Sequence, residues 1–437
     1  MSDFTIQQAR NRIDTTITTN GGGNITGKTL NEAFNGVLDA ISTLYTKQTG
    51  DNWYGVIWTF DSVGNSTVTR IGNPMNHVVL PIQSLMKGCL VNTDGSVNYY
   101  LNGQDWSKKE DDTESVLTGA DGDVMVEVPA FYYKYDELYD GYIKRVMISL
   151  YKVDDTWIYS PKFYVGAYKG YVTDGKLLSV TGQQATVNTG LLGFRTYARA
   201  KNGSLNWVPI TYAMRKAIWM LFITEYGTLN SQEAFNSALT AEGYHQGGLG
   251  LGPTQGTVSE SYNFCTTGYT NTNGNGSIGG VTISGAGSNQ ACRYRGIENP
   301  FGEVLEWTDG VFVENYVAYE VLDKANFGKI GGSSYSGDKS SECRVIGDVN
   351  QTGSGYSIKT ILGGSHCDIL ASDVNTSDTG GATYYHDGWY AVTGFRGVLF
   401  GGGASAGARA GLVCAGADSV PSYADAYIGS RLAYIVE

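Results

Sequence analysis

The chain is short of positive charge, histidine, proline and long apolar runs. Thirty Lys and Arg stand against 42 Asp and Glu, a formal charge of −12. A phosphate backbone would be repelled unless a local basic stripe existed, and none occurs, so nucleic acid is not expected as a partner. The longest apolar run, Ala217 to Ile223, is far too short to span a bilayer, so membrane insertion is not expected either. Four histidines leave little material for catalytic triads. The six cysteines, Cys89, Cys265, Cys292, Cys343, Cys367 and Cys414, form no Cys-x-x-Cys pair, which speaks against a disulfide framework and a structural zinc site. The opening Met1-Ser-Asp-Phe-Thr has no charged n-region and no apolar h-region. The expectation is a chain without a signal peptide, made in a cytosol or exported by a route other than general secretion.

Glycine and tyrosine are what the chain has in abundance. There are 60 glycines among 437 residues, roughly twice average usage, with no Gly-X-Y period, which favours turn-rich β structure over collagen. The 31 tyrosines suit either strands or adaptable binding surfaces. The length allows roughly three domains and a sizeable core.

Residues 1–48 read as an N-terminal module. Leu30, Ala33, Phe34, Val37, Leu38, Ile41, Leu44 and Tyr45 keep the spacing of one helical stripe, wide enough to want a partner. Gly22 to Thr29 matches the phosphate-binding loop literally, but neither a metal-holding Asp strand nor alternating βαβ units surround it, so a glycine turn before an assembly helix is the better reading. Residues 49–122 read as a small β domain, with short runs at Trp53–Phe60, Val78–Leu80 and Val97–Leu101 and an exposed charge run at Lys108–Glu114. From residue 123, strands are expected at Asp123–Lys134, Tyr142–Leu150 and Phe163–Tyr168, and helices at Gly190–Ala200 and Tyr212–Tyr226. The second helix places Met214, Ala217, Ile218, Leu221 and Phe222 on one stripe. Residues 243–292 are polar and loop-rich, and Gly248–Gly252 opens no helix, making it a weak dinucleotide signal.

Chemistry has few footholds. Glu303, Glu306 and Asp309 admit a paired-carboxylate reading, yet their place around Trp307 favours a turn or pairing with Arg293 and Arg295. His366, Cys367, Asp368, His386 and Asp387 are metal-ligand types at no compact metal spacing. Asp348-Val-Asn-Gln-Thr-Gly353 begins like a calcium loop but has Lys359 where a bidentate carboxylate is required. No catalytic residue, metal or cofactor is therefore expected.

Asn299-Pro-Phe-Gly-Glu-Val-Leu-Glu-Trp-Thr308 resembles the Asn-x-x-Gly-Asn-Val-x-Glu-Trp signature of the formylglycine-generating-enzyme type of C-type lectin fold. Leu191–Glu225 resembles that family's paired helices, and Ile361–Ser365, Val392–Arg396 and Ile428–Leu432 its Gly-Gly-Ser and Gly-Phe-Arg strands. The oxidase of that fold uses a cysteine pair, which is missing here as a motif. Within the fold class the last segment is similar to the variable tract of proteins diversified by retroelements, among them phage tropism determinants. Gly401-Gly402, Gly407-Ala408-Arg409-Ala410-Gly411 and Ile428-Gly-Ser-Arg-Leu432 stand at matching spacing.

The resemblance implies an α+β protein with a C-terminal C-type-lectin-like domain over residues 123–437, preceded by the small β region and the N-terminal helix. It implies a phage tail-fibre or receptor-binding protein, located in the virion, homotrimeric by analogy, meeting a host surface receptor (glycan or protein) with its C-terminus and other tail proteins with its N-terminus. A bacterial, non-viral diversified binding protein and, more remotely, a formylglycine-type oxidase stay open. The expected ligand surface is Gly403, Ala404, Ser405, Ala406, Arg409, Val413, Ala415, Asp418, Tyr423, Asp425 and Tyr427, set between the frame residues of the tract.

Overall fold

A computed structural model describes residues 52–59, 68–139, 141–254, 265–282, 290–350, 356–375 and 385–436. The N-terminal module of residues 1–48, with its helical stripe and Gly22–Thr29 turn, lies outside them. Strand accounts for 38% of the chain and helix for 15%, so the architecture is β-dominated, with one sheet curled into a half-barrel. At that level it is consistent with the β-rich lectin-like expectation.

Three sheets carry most of the strands. A five-stranded sheet runs in the order Thr69–Gly72, Tyr54–Thr59, Ile143–Ser149, Phe131–Leu138, Ile158–Ser160. A six-stranded sheet runs Trp207–Pro209, Leu432–Ile435, Phe163–Gly166, Asp123–Val128, Lys87–Val91, Val97–Tyr100. The largest is built on the ten-residue strand Leu305–Glu314, flanked by Val317–Val321 and Phe395–Phe400. Pairing crosses residues 122 and 123: Tyr54–Thr59 lies against Ile143–Ser149, and Lys87–Val91 against Asp123–Val128.

Local chemistry explains two departures from the sequence reading. Asp123–Lys134, expected as one strand, is two strands of different sheets, because Pro129 cannot donate to a ladder and the chain turns there. Val78–Leu80, expected as strand, ends a short helix, Pro74–Val79, whose Asn73 cap accepts the Met75 N–H at 2.9 Å.

The helix Tyr212–Tyr226 organises the interior. Thr211 caps its start by accepting the Met214 N–H, and Gly227 closes its end in the left-handed conformation at φ 68°. It is buried on every face, not along one stripe, so Arg215, Lys216 and Glu225 are inside with it. Each is satisfied by a partner distant in sequence. Arg215 pairs with Glu306, Lys216 with Glu320 at 3.0 Å, and Arg295 with Glu225 through two nitrogens.

Candidate ligand-binding site

The tract from Phe400 is fastened to the rest of the fold at several points. Gly401 and Gly402 turn the chain at φ 93° and 69°, conformations that cost a side chain strain. Gly302 N–H donates to the Gly401 carbonyl at 3.0 Å, and Ala404 N–H to the Glu303 carbonyl at 3.0 Å, tying the turn to the Asn299–Thr308 signature. A 3-10 turn, Ala404–Arg409, follows. Gln232 Nε2 donates to the Gly407 carbonyl at 2.9 Å and to the Ala410 carbonyl, and Ser231 Oγ accepts the Leu412 N–H at 2.9 Å. The Asp387 carboxylate then accepts the N–H groups of Val413 and Cys414 at 2.8 and 3.0 Å.

The strand Ala415–Ala417 enters the large sheet between Phe395–Phe400, antiparallel, and Gly388–Ala391, parallel. Ile428–Gly429 runs parallel to Leu305–Glu306, and Leu432–Ile435 joins the six-stranded sheet. Arg431 completes the frame. Its guanidinium donates to Glu306 Oε1 at 3.1 Å and to the carbonyls of Gly166, Ala167, Glu298 and Asn299.

Between these fastenings opens a cavity of about 330 Å³. Gly403, Ser405, Ala406, Arg409, Ala415, Asp418 and Tyr427 of the expected surface line it. Its remaining wall was not anticipated: Trp389 and Tyr390 from the neighbouring strand, Leu305 and Leu399 beneath, and Cys414. The signal available was the Gly388-Trp-Tyr390 run just upstream of the tract. The lining combines aromatic faces, one guanidinium and one carboxylate, a set that recognises a partly polar ligand through shape and a few hydrogen bonds.

Four expected residues stand elsewhere. Ala404 and Val413 are 2% and 1% exposed, so they face the interior and belong to the frame. Tyr423, 39% exposed, donates its hydroxyl to Asp425 Oδ2 at 2.6 Å, and neither lines the cavity. The Asp425 carbonyl accepts the Asn188 N–H, so this residue also holds the loop in place.

Electrostatics in the surrounding core are structural. Burial drives the Asp387 carboxyl up to about 8 in spite of its two N–H donors. Burial, with Asp387 beside it, pushes the Cys414 thiol up to about 12, keeping it protonated and unreactive. Burial alone would raise Glu306, but Arg431, Lys169 and Arg215 together hold it well below the carboxylate range. Glu303, raised to about 7 by burial, contacts Asn299 and Cys265 inside the molecule.

The pairing of these carboxylates with Arg293 and Arg295 is therefore corrected. Glu306 takes Arg431, Lys169 and Arg215, and Asp309 takes Arg195. Arg293 lies over the Trp106 ring and Arg295 goes to Glu225. Of the metal-type residues, Asp368 is held by Arg344 and Asp387 by backbone, and among the described residues no three His, Cys, Asp or Glu side chains are arranged to hold a metal ion.

No family model and no curated protein matches the chain. Among solved structures it is similar to the P3c variant of a major tropism determinant, at 13% identity and TM-score 0.25, covering 88% of this chain and 72% of that one. The I1 variant follows at 10% identity and TM-score 0.21, covering 70% and 72%. The U1 variant stands at 9% and 0.20, covering 73% and 83%. These likenesses are slight, and the reading of the site rests on its own geometry.

Proposed function

We propose that the chain is a receptor-binding protein of a phage tail that adheres to a host surface ligand through residues 400–437. The supporting observation is a separation of roles within the tract. Its backbone is fixed by Gln232, Ser231, Asp387 and two sheets, while the side chains of Ser405, Ala406, Arg409, Asp418 and Tyr427 line an open cavity. A surface carried on a backbone that is fastened from outside it is one whose side chains can change specificity while the chain path is kept.

Adhesion in this reading is multivalent. A homotrimer presents the cavity three times, and several copies on one particle convert a modest single-site affinity into durable attachment. The N-terminal module supplies the join to the rest of the tail.

The test uses the full chain, because its sheets pair across residue 122. Binding to a panel of bacterial cells is compared between the native protein and an Arg409→Ala, Tyr427→Ala double variant. Loss of about tenfold or more in apparent affinity, with an unchanged melting transition, is expected. Equal binding by both would remove the assignment. Light scattering that finds a stable monomer at micromolar concentration would remove the trimer.

A further inference from the structure

The short helix Pro74–Val79 is fixed on one side and bare on the other. On its inner side His77 meets the Tyr54 ring edge-on at 5.4 Å and bonds the Ile71 carbonyl at 2.9 Å, and the C-cap Leu80 is buried. The turn that follows is anchored as well. The Tyr54 hydroxyl donates to Gln83 Oε1 at 2.6 Å, and Gln83 Nε2 donates to the Leu221 carbonyl of the central helix at 3.0 Å.

The outer side carries Met75, Val78 and Val79, which are 60%, 40% and 52% exposed. Apolar side chains exposed singly are ordinary, but positions i, i+3 and i+4 of one helix form a continuous face. Leu239, also exposed, belongs to the loop whose Gly243 comes up to the Val78 side chain. No Lys, Arg, Asp or Glu occurs between Arg70 and Lys87, so this segment offers a charged partner nothing to pair with. A rigid, uncharged, apolar face suits an apolar segment of chain.

One such segment is within reach. The Trp53 carbonyl accepts the Asn73 N–H at 2.9 Å, so the chain enters the described fold beside the start of this helix. The apolar stripe read from the sequence between Leu30 and Tyr45 ends shortly before that point, and its two acidic residues, Glu32 and Asp39, fall off the stripe. The stretch from Tyr45 to Trp53 spans roughly 26–29 Å when extended. The helix it must reach along is only about 9 Å long. A tether of this length holds the stripe at about millimolar effective concentration, so it competes well against a free partner.

We propose that the stripe of residues 30–45 docks on the outer face of Pro74–Val79 of its own chain, covering Met75, Val78 and Val79. The N-terminal module is thereby held on a rigid element, and a pull on it passes through Gln83 into the central helix. This placement stands apart from whether residues 400–437 bind a cell.

Hydrogen exchange of the full chain tests it. Amides of residues 30–45 are expected to exchange at least about tenfold more slowly in the native chain than in a Met75→Glu, Val79→Glu variant, with residues 212–226 unchanged as the sign that the variant is folded. A second measurement leaves the face apolar. In a Cys343→Ser background, the other five thiols being buried, Val79→Cys is combined with Phe34→Cys, Leu38→Cys or Ile41→Cys. At least one pair in a single chain should form a disulfide on oxidation, and the corresponding single variants, co-expressed, should not link to each other. The proposal is overturned if residues 30–45 exchange equally in the native chain and the glutamate variant, if no pair links within a chain, or if the co-expressed single variants link, which would make the occupant a second copy.

Discussion

Arg431 meets Glu306 at 3.1 Å, and both are fully buried, so the end of the C-terminal tract is bolted to the centre of the Asn299–Thr308 segment. The bond ties residues 125 positions apart and leaves neither charge a route to water. Removing one partner strands the other. Arg431→Ala or Glu306→Ala is expected to cost about 3–5 kcal/mol in urea unfolding, because uncompensated buried charge remains.

Acid should weaken the fold through Glu225. Burial pushes its carboxyl up, but Arg295 and His245 overcome this and bring it down from 4.5 to about 2. A depressed carboxylate contributes stability above its unfolded value that is lost as pH falls from about 4.5 through 2, here on the order of 3 kcal/mol. Denaturant midpoints across that range should fall steeply in the native chain and less in Glu225→Gln.

Asp387 acts with the opposite sign. Its folded value, about 8, lies above the ordinary 3.8, so its contribution is complete at low pH and is lost as pH rises from about 4 through 8. Glu303, raised from 4.5 to about 7, adds the same slope, while His77, lowered by burial from 6.5 to about 4, opposes it between those two values. The difference between Asp387→Asn and the native chain isolates one group. The variant should gain relative stability as pH rises, and a flat difference curve would refute the assignment.

Within the tract, size should be tolerated at some positions and refused at others. A Cβ at Gly411 would land on the buried Asp387 carboxylate, so Gly411→Ala should cost about 2 kcal/mol or more and loosen the loop. Ser405 and Ala408 are exposed, and Ser405→Tyr or Ala408→Tyr should shift stability by no more than about 0.5 kcal/mol. Thermal unfolding of the three variants checks this ordering.

What the chain revealed before its fold was known follows from the range of the forces involved. The helix Tyr212–Tyr226 is written locally, and the sequence places it with these bounds, while its Thr211 cap and Gly227 stop are also local features. The all-round burial of that helix was not legible. Arg215, Lys216 and Glu225 look like a solvated face until Glu306, Glu320 and Arg295 arrive from 70 or more positions away. The same holds for the site: one side of it lies within the tract itself, while Trp389 and Tyr390 join it through the parallel pairing of their strand with Ala415–Ala417. Ala404 and Val413 look like their small neighbours, and only the packed fold shows which of them turn inward.

The insertion of Ala415–Ala417 between two strands, with Ile428–Gly429 alongside a third, divides the tract into two spans with fixed ends. Replacing a side chain leaves every rung of those ladders in register. Adding or deleting one residue would shift the rungs and reverse which face each side chain occupies. Variants of this segment should therefore differ freely in spelling while agreeing in length.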